Sequence, residues 1–147
     1  SNGRSQLSRQ PLRLRHQLTG LSLYCRFLIT CTKHYRWLRP NGTFVFSVEH
    51  PVFTARGDQD WFYGLNGEKL HFPVDHYYEE GVREAVFLGE PVQKYHRTLT
   101  TYLHTLLQAG LVITDVIEPQ PPETMMHLPE MKDELRRPMM LLVAARK

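Results

Sequence analysis

Residues 94–119, KYHRTLTTYLHTLLQAGLVITDVIEP, constrain the fold more than any other part of this 147-residue chain. Leucines recur there at the steps of three and four that place side chains on one face of a helix: Leu99, Leu103, Leu106 and Leu107. A threonine within residues 98–101 is expected to start the helix, and Gly110 is expected to end it. The apolar run LVITDVIEP then predicts a strand. A helix that leads directly into a strand is typical of a larger α/β sheet.

A second signal lies in LRPNGTFVFSVEHP, residues 38–51. Proline fixes φ and Asn-Gly tolerates positive φ, so the segment begins with a turn. The nearly continuous apolar run Phe44–Val48 predicts a strand covered on both faces. Glu49 and His50 follow at its carboxyl end, where open α/β sheets bind their ligands.

The rest of the chain supplies weaker signals. Residues 21–38 have apolar groups at helical spacing, and residues 52–93 form a long insertion with a predicted hairpin at Asn66-Gly67. VREAVFLGE predicts another strand within that insertion, and PMMLLVAAR predicts a final one. Residues 123–136 are expected to form a short helix or loop. We expect residues 1–20 to be a basic, irregular arm and residues 21–147 to be one α/β domain with insertion 52–93.

Charge is segregated along the sequence. The first 48 residues contain eight basic and no acidic residues, whereas the remainder contains ten basic and fifteen acidic ones. A solvated basic arm, a surface for nucleic acid or an acidic partner, and a segment foreign to its gene family are all compatible with this pattern. Nucleic-acid binding ranks last, because few aromatic residues interleave with the basic ones.

Composition excludes several classes of protein. No apolar run approaches the length of a membrane span. Cys25 and Cys31 give neither a disulfide framework nor a metal-ligand spacing, and two cysteines suit a reducing cytoplasm. The histidines show no ligand spacing with a third partner, so no metal is expected.

Candidate site residues follow from position. His50 ends the predicted strand, and His96 precedes the predicted helix, so either could serve as a base or contact a substrate. Glu49, Tyr95 and Arg97 are further candidate substrate contacts; the residues before the helix lie where its dipole favours an anion. Tyr77, together with Trp61 and Tyr78, could line a substrate pocket. The plainer alternatives are a turn histidine, helix capping, and a small core internal to the insertion.

Three phrases carry a resemblance to a known family: LRPNGTFVFSVEHP, KYHRTLTTYLHTLLQAGLVITDVIEP and RRPMMLLVAARK. In this order and spacing, residues 36–147 resemble the C-terminal portion of class I S-adenosylmethionine-dependent methyltransferases of the bacterial small-molecule type. The resemblance implies a partial Rossmann-like sheet whose last strand inserts antiparallel between its two predecessors. It also implies S-adenosylmethionine as cofactor and a small molecule as methyl acceptor.

The resemblance stops before residue 36. The family binds its cofactor on a glycine-rich loop after the first strand and on an acidic residue after the second, and neither pattern occurs here. The cofactor-binding residues are therefore unknown, and cofactor binding by this chain is open. The loss of likeness together with the one-sided charge suggests a truncated or frame-altered product, in which the amino-terminal residues are not native to the family.

Two functions follow as hypotheses. The first is a methyltransferase acting on a small molecule, in which the protein mainly positions the acceptor and excludes water. The second is a catalytically inactive remnant that serves as a structural or interaction module. Because the strand at Phe44–Val48 would lack a neighbour on one edge, a homodimer is expected in which a second copy covers it.

Overall fold

The computed structural model describes residues 26–147, and the basic arm predicted at residues 1–20 lies outside this range. A first helix, α1, runs over 26–37 within the described residues. The other helices are α2 (Pro51–Thr54), α3 (Leu99–Gln108) and α4 (Pro129–Glu134), with a short 3₁₀ turn at Glu123–Met125. The strands are β1 (Thr43–Glu49), β2 (Phe62–Tyr63), β3 (Lys69–His71), β4 (Gly81–Phe87), β5 (Glu90–His96), β6 (Val112–Ile117) and β7 (Met140–Arg146).

The central sheet has the order β1-β7-β6. Strand β7 pairs antiparallel with both neighbours, from Thr43 opposite Arg146 to Glu49 opposite Met140 on one side. Strands β1 and β6 therefore run in the same direction, and their carboxyl ends meet at one edge. This is the partial methyltransferase sheet that the resemblance implied, with its last strand inserted antiparallel.

The hydrophobic core lies between this sheet and the helices α1 and α3. Its fully buried members include Cys31, Leu106, Leu111, Leu141 and Val143. Alternation along β1 explains which face is covered, because Phe44, Phe46 and Val48 pack against the core while Val45 points away and is 62% exposed. The expectation that this strand is covered on both faces is therefore wrong within the described residues.

Helix α3 begins and ends at the residues that the sequence indicated. The Thr98 side chain accepts a hydrogen bond from the N–H of Thr101, which satisfies one of the free donors at the helix start. Gly110 follows the helix with φ of 89°, a conformation that glycine adopts without steric cost. The chain then enters β6 within two residues.

The insertion contains two hairpins. Strands β2 and β3 pair across the Asn66-Gly67 turn, as predicted, with Gly67 at φ of 79°. The second hairpin was only half predicted: VREAVFLGE covers all of β4 except Gly81, but the tight turn at Leu88-Gly89 and the second strand β5 were missed. Both turn residues have positive φ, and leucine is an unusual first residue for such a turn.

Candidate functional site

His50 lies at the carboxyl end of β1 and caps helix α2. Its ring atom Nδ1 accepts a hydrogen bond from the backbone N–H of Val52 at 3.1 Å. The backbone N–H of His50 donates to the Met139 carbonyl at 2.8 Å. Pro51 follows at the first helical position, where its missing N–H costs nothing. The backbone bond therefore places His50 beside the residue before β7, and the bond from Val52 orients its ring.

The other ring nitrogen of His50 faces Glu118, the residue just after β6. Nε2 lies 2.8 Å from Oε1 of Glu118, although the two are poorly aligned for a hydrogen bond. Because Nδ1 accepts from the backbone, the neutral ring carries its proton on Nε2. Burial lowers the pKa of His50, and Glu118 opposes this shift in part. The residues after two parallel strands are thus brought together across β7, as expected at this edge of the sheet.

His96 is fully buried, and both of its ring nitrogens are used within the protein. Nε2 lies 2.8 Å from the Tyr77 carbonyl, which can only accept, so this nitrogen carries the proton. Nδ1 then accepts from the Thr54 hydroxyl at 2.8 Å. Burial is the main reason that the pKa of His96 is lowered. This geometry favours a positioning role in the described conformation, since no lone pair is left to accept a substrate proton.

The amino-terminal end of α3 attracts a negative charge, but the charge comes from the chain itself. The Glu80 carboxylate accepts from the backbone N–H and the hydroxyl of Thr98, both at 2.8 Å, and from the Thr101 hydroxyl. The Tyr77 hydroxyl accepts from the N–H of Leu99 at 3.0 Å. A carboxylate of the chain itself therefore occupies the position where the start of the helix favours an anion.

Glu49 binds the insertion rather than open solvent. Its Oε1 lies 2.7 Å from Nζ of Lys94 on β5, and the same ammonium donates to Oε1 of Gln59 at 2.7 Å. Nε2 of Gln59 is buried and has no hydrogen-bond partner among the described residues. A substrate contact by Glu49 would have to share this carboxylate with Lys94.

Tyr95 and Arg97 flank His96 in the sequence, and Tyr95 points to the opposite face of β5 from Lys94 and His96, as strand alternation requires. They line a cavity of about 250 Å³ together with three α1 residues, Arg26, Phe27 and Thr30. The six predicted site residues therefore fall into three groups. His50 lies at the sheet edge, Tyr77 belongs to the insertion and Glu49 and His96 contact it, and Tyr95 and Arg97 line this cavity.

The sequence patterns did not indicate the buried Arg137. The Arg137 guanidinium forms two bonds to the Glu134 carboxylate, at 2.7 and 3.0 Å. It also lies 4.7 to 5.3 Å from the ring centroids of Phe53, Trp61 and Phe72. These contacts fasten the β2–β3 hairpin to the segment before β7. Nothing in a single sequence distinguishes this arginine from Arg136 next to it, which is partly exposed.

Glu118 was also missed, although a usable signal existed. It follows β6 as Glu49 follows β1, so the rule that selected Glu49 would have selected it. Glu118 lines a cleft of about 220 Å³ together with residues 119–120 and 134–138. The cleft lies beside the His50–Glu118 pair at the ligand-facing edge of the sheet.

The described residues do not form a cradle for S-adenosylmethionine. Within 26–147, no glycine stands where a strand passes into a helix: β1 enters α2 through His50-Pro51, and the start of α3 is filled by Glu80 and Tyr77. In the same part of the chain, no three potential metal-binding side chains form a group. Nor does any helix there have the length and apolar character to cross a bilayer.

Two solved structures of methyltransferases are similar to this chain. A candidate S-adenosylmethionine-dependent methyltransferase from Listeria monocytogenes has a solved structure that is 58% identical, with a TM-score of 0.77 over 82% of this chain. An S-adenosylmethionine-dependent methyltransferase from Mesorhizobium loti is 37% identical, with a TM-score of 0.73 over the same share. The chain resembles the carboxyl-terminal portion of such methyltransferases.

The likeness covers only part of these proteins. The chain spans 55% of each of the two solved methyltransferase structures. It is also 34% identical over 111 residues to an uncharacterised protein from Haemophilus influenzae, of which it covers 44%. No family model matches the chain.

Proposed function

We propose that this chain provides the acceptor-binding portion of an S-adenosylmethionine-dependent methyltransferase that acts on a small molecule. The main support is the edge of the sheet where β1 and β6 end: it carries His50 and Glu118, a cleft lies beside it, and two hairpins of the insertion contact it. This is the position at which open α/β sheets bind ligands. The 58% identity to a candidate methyltransferase supports the same chemistry.

The chain's own residues would orient the acceptor and exclude water. The carboxylate of Glu118 is 56% exposed and can accept a hydrogen bond from an acceptor hydroxyl or amine while it holds His50. His96 would keep the insertion in place through Thr54 and Tyr77. S-adenosylmethionine would supply an activated methyl group, so positioning accounts for most of what the protein must contribute.

A chimera tests this assignment. The segment of the Listeria protein that corresponds to residues 36–147 is replaced by these residues, and calorimetry then measures S-adenosylmethionine binding by the chimera and by this chain alone. We expect heat from the chimera and none from the isolated chain at millimolar cofactor. A folded chimera that neither binds cofactor nor methylates the acceptors used by the Listeria protein would refute the proposal.

The free edge of β1 favours a second candidate, a homodimeric interaction module. Among the described residues β1 pairs only with β7, so its other edge has unpaired backbone groups. A twofold dimer in which two β1 strands pair would satisfy them. Light scattering should then give twice the chain mass of 17.3 kDa.

A pair of matched variants identifies the edge. Val45 on β1 and Val112 on β6 are both exposed valines on edge strands, at 62% and 60%. Val45→Lys should produce a monomer, because two like charges would meet near the paired strands, whereas Val112→Lys should remain a dimer. A monomeric wild-type chain at working concentration would exclude the dimer.

A further inference from the structure

We propose that the cavity between β5 and α1 binds the carboxylate of a small aromatic acid. Its charged lining residues among 26–147 are both cationic, Arg26 and Arg97, and no carboxylate of that part of the chain lines it. Phe27 and Tyr95 provide aromatic walls, and Thr30 provides a hydroxyl. This combination of positive charge and aromatic surface fits a ligand with one anionic group and one ring.

Arg97 is held in place but is not neutralised. Its guanidinium carbon lies 5.3 Å from the ring centroid of Phe27 and 5.9 Å from that of Tyr102, so two rings hold it by cation–π contact, and its side chain also hydrogen-bonds the Tyr102 hydroxyl. No ion pair involves Arg97 in the part of the chain that the structure describes, and its Nε is shielded from solvent without a hydrogen-bond partner there. Arg137, which is buried, differs in that its guanidinium forms two bonds to the Glu134 carboxylate, although its Nε likewise has no partner among the described residues. The Arg97 guanidinium is therefore fixed against two rings and keeps N–H groups that can donate to an oxyanion.

Size limits the ligand further. A cavity of about 250 Å³ is smaller than the ~300–1,000 Å³ typical of drug-sized ligands, so a single-ring acid is the appropriate probe. A ligand with so few atoms makes few contacts, so we expect binding in the millimolar range. This cavity shares no lining residue with the cleft beside Glu118, so binding of the acid here does not rest on the function proposed above.

The test is a titration of the whole ¹⁵N-labelled chain with phenylacetate, followed by chemical shifts and without any cofactor. We expect saturable shifts at Thr30, Tyr95 and Arg97, and no comparable shifts with neutral phenylacetamide. Arg97→Gln should weaken phenylacetate binding at least tenfold. The control Arg36→Gln removes the same charge from an exposed position of α1 and should leave the affinity unchanged.

Other outcomes overturn the inference. These are equal binding of the acid and the amide, no saturation with phenylacetate, an unchanged affinity in Arg97→Gln, or displacement by inorganic phosphate at equal concentration. If Arg97→Gln does not fold, Arg26→Gln serves instead, since Arg26 is exposed and its loss should weaken binding several-fold. Because the assay contains no S-adenosylmethionine, its failure is distinguishable from failure of the chimera test.

Discussion

Replacement of His96 by phenylalanine should destabilise the fold strongly. The variant keeps an aromatic ring at a fully buried position but removes both polar ring atoms. It leaves the Thr54 hydroxyl and the Tyr77 carbonyl, each now 2.8 Å from a ring nitrogen, without their partner. At about 1–3 kcal/mol for each of the two groups left unpaired, we expect a loss of about 2–6 kcal/mol in the free energy of unfolding.

The pH dependence supplies an independent check. The pKa of His96 is lowered from 6.5 in the folded state, so the unfolded chain binds more protons below that pH. The stability that neutral His96 contributes is therefore complete above pH ~6.5 and is lost as the pH falls through the lowered folded pKa. His96→Phe should reduce the slope of unfolding free energy against pH below ~6.5, and His50 should retain part of that slope.

Urea unfolding followed by circular dichroism at pH 7.5 and 5.5 measures both effects. A double variant, Thr54→Val with His96→Phe, removes one of the unpaired groups and should recover about 1 kcal/mol relative to the sum of the single losses. His104→Gln, on the exposed face of α3, is the control and should change stability by less than about 0.5 kcal/mol. A His96→Phe protein as stable as wild type, with an unchanged pH slope, would refute the proposed structural role of this histidine.

Three further predictions concern other parts of the fold. Arg137→Ala should cost about 2–4 kcal/mol, because it leaves a carboxylate unpaired and empties a site between three rings, and hydrogen exchange should show the β2–β3 hairpin opening more often. Gly110→Ala should cost about 1–2 kcal/mol in thermal unfolding, since φ of 89° is unfavourable for any residue with a Cβ. Burial raises the pKa of Cys31 to about 11, so in a Cys25→Ser background the thiol should resist alkylation at pH 8 until urea unfolds the chain; rapid labelling of the folded protein would contradict its burial.

Local chemistry explains which elements could be predicted. The α3 leucines, the Thr98 cap and Gly110 act within one helix, so their pattern fixed both ends of it. The run Phe44–Val48 likewise predicted β1 to within one residue at each end. The hairpin β4–β5 was missed because Leu88-Gly89 is an atypical turn and Pro91 is unfavourable in a strand.

The site was harder to predict because its contacts are between distant segments. Glu80 and Thr98 are 18 positions apart, Thr54 and His96 are 42 apart, and Arg137 contacts rings that belong to the insertion. Position relative to a strand end selected His50 and Glu49, but it could not show that Lys94 takes the Glu49 carboxylate or that Glu118 faces His50. Such pairings depend on how the insertion folds back, and no periodicity encodes that.

The two candidate functions require different partners at the free edge of β1. In the methyltransferases that the chain resembles, a neighbouring strand of the same sheet is expected on the free edge of β1, whereas the dimer places a second copy there. One edge cannot pair with both, so dimer formation and assembly with the remainder of a methyltransferase sheet should exclude each other. Val45→Lys distinguishes the two arrangements. In the dimer the lysine would lie near its own copy, and the two like charges would repel. A neighbouring strand of a methyltransferase sheet has no matching lysine, so pairing with it should be affected less. Suppose that Val45→Lys abolished the dimer and that the chimera carrying it still bound S-adenosylmethionine. The free edge of β1 would then be the edge that pairs with the rest of a methyltransferase sheet, and the isolated chain would dimerise because that edge is left unpaired.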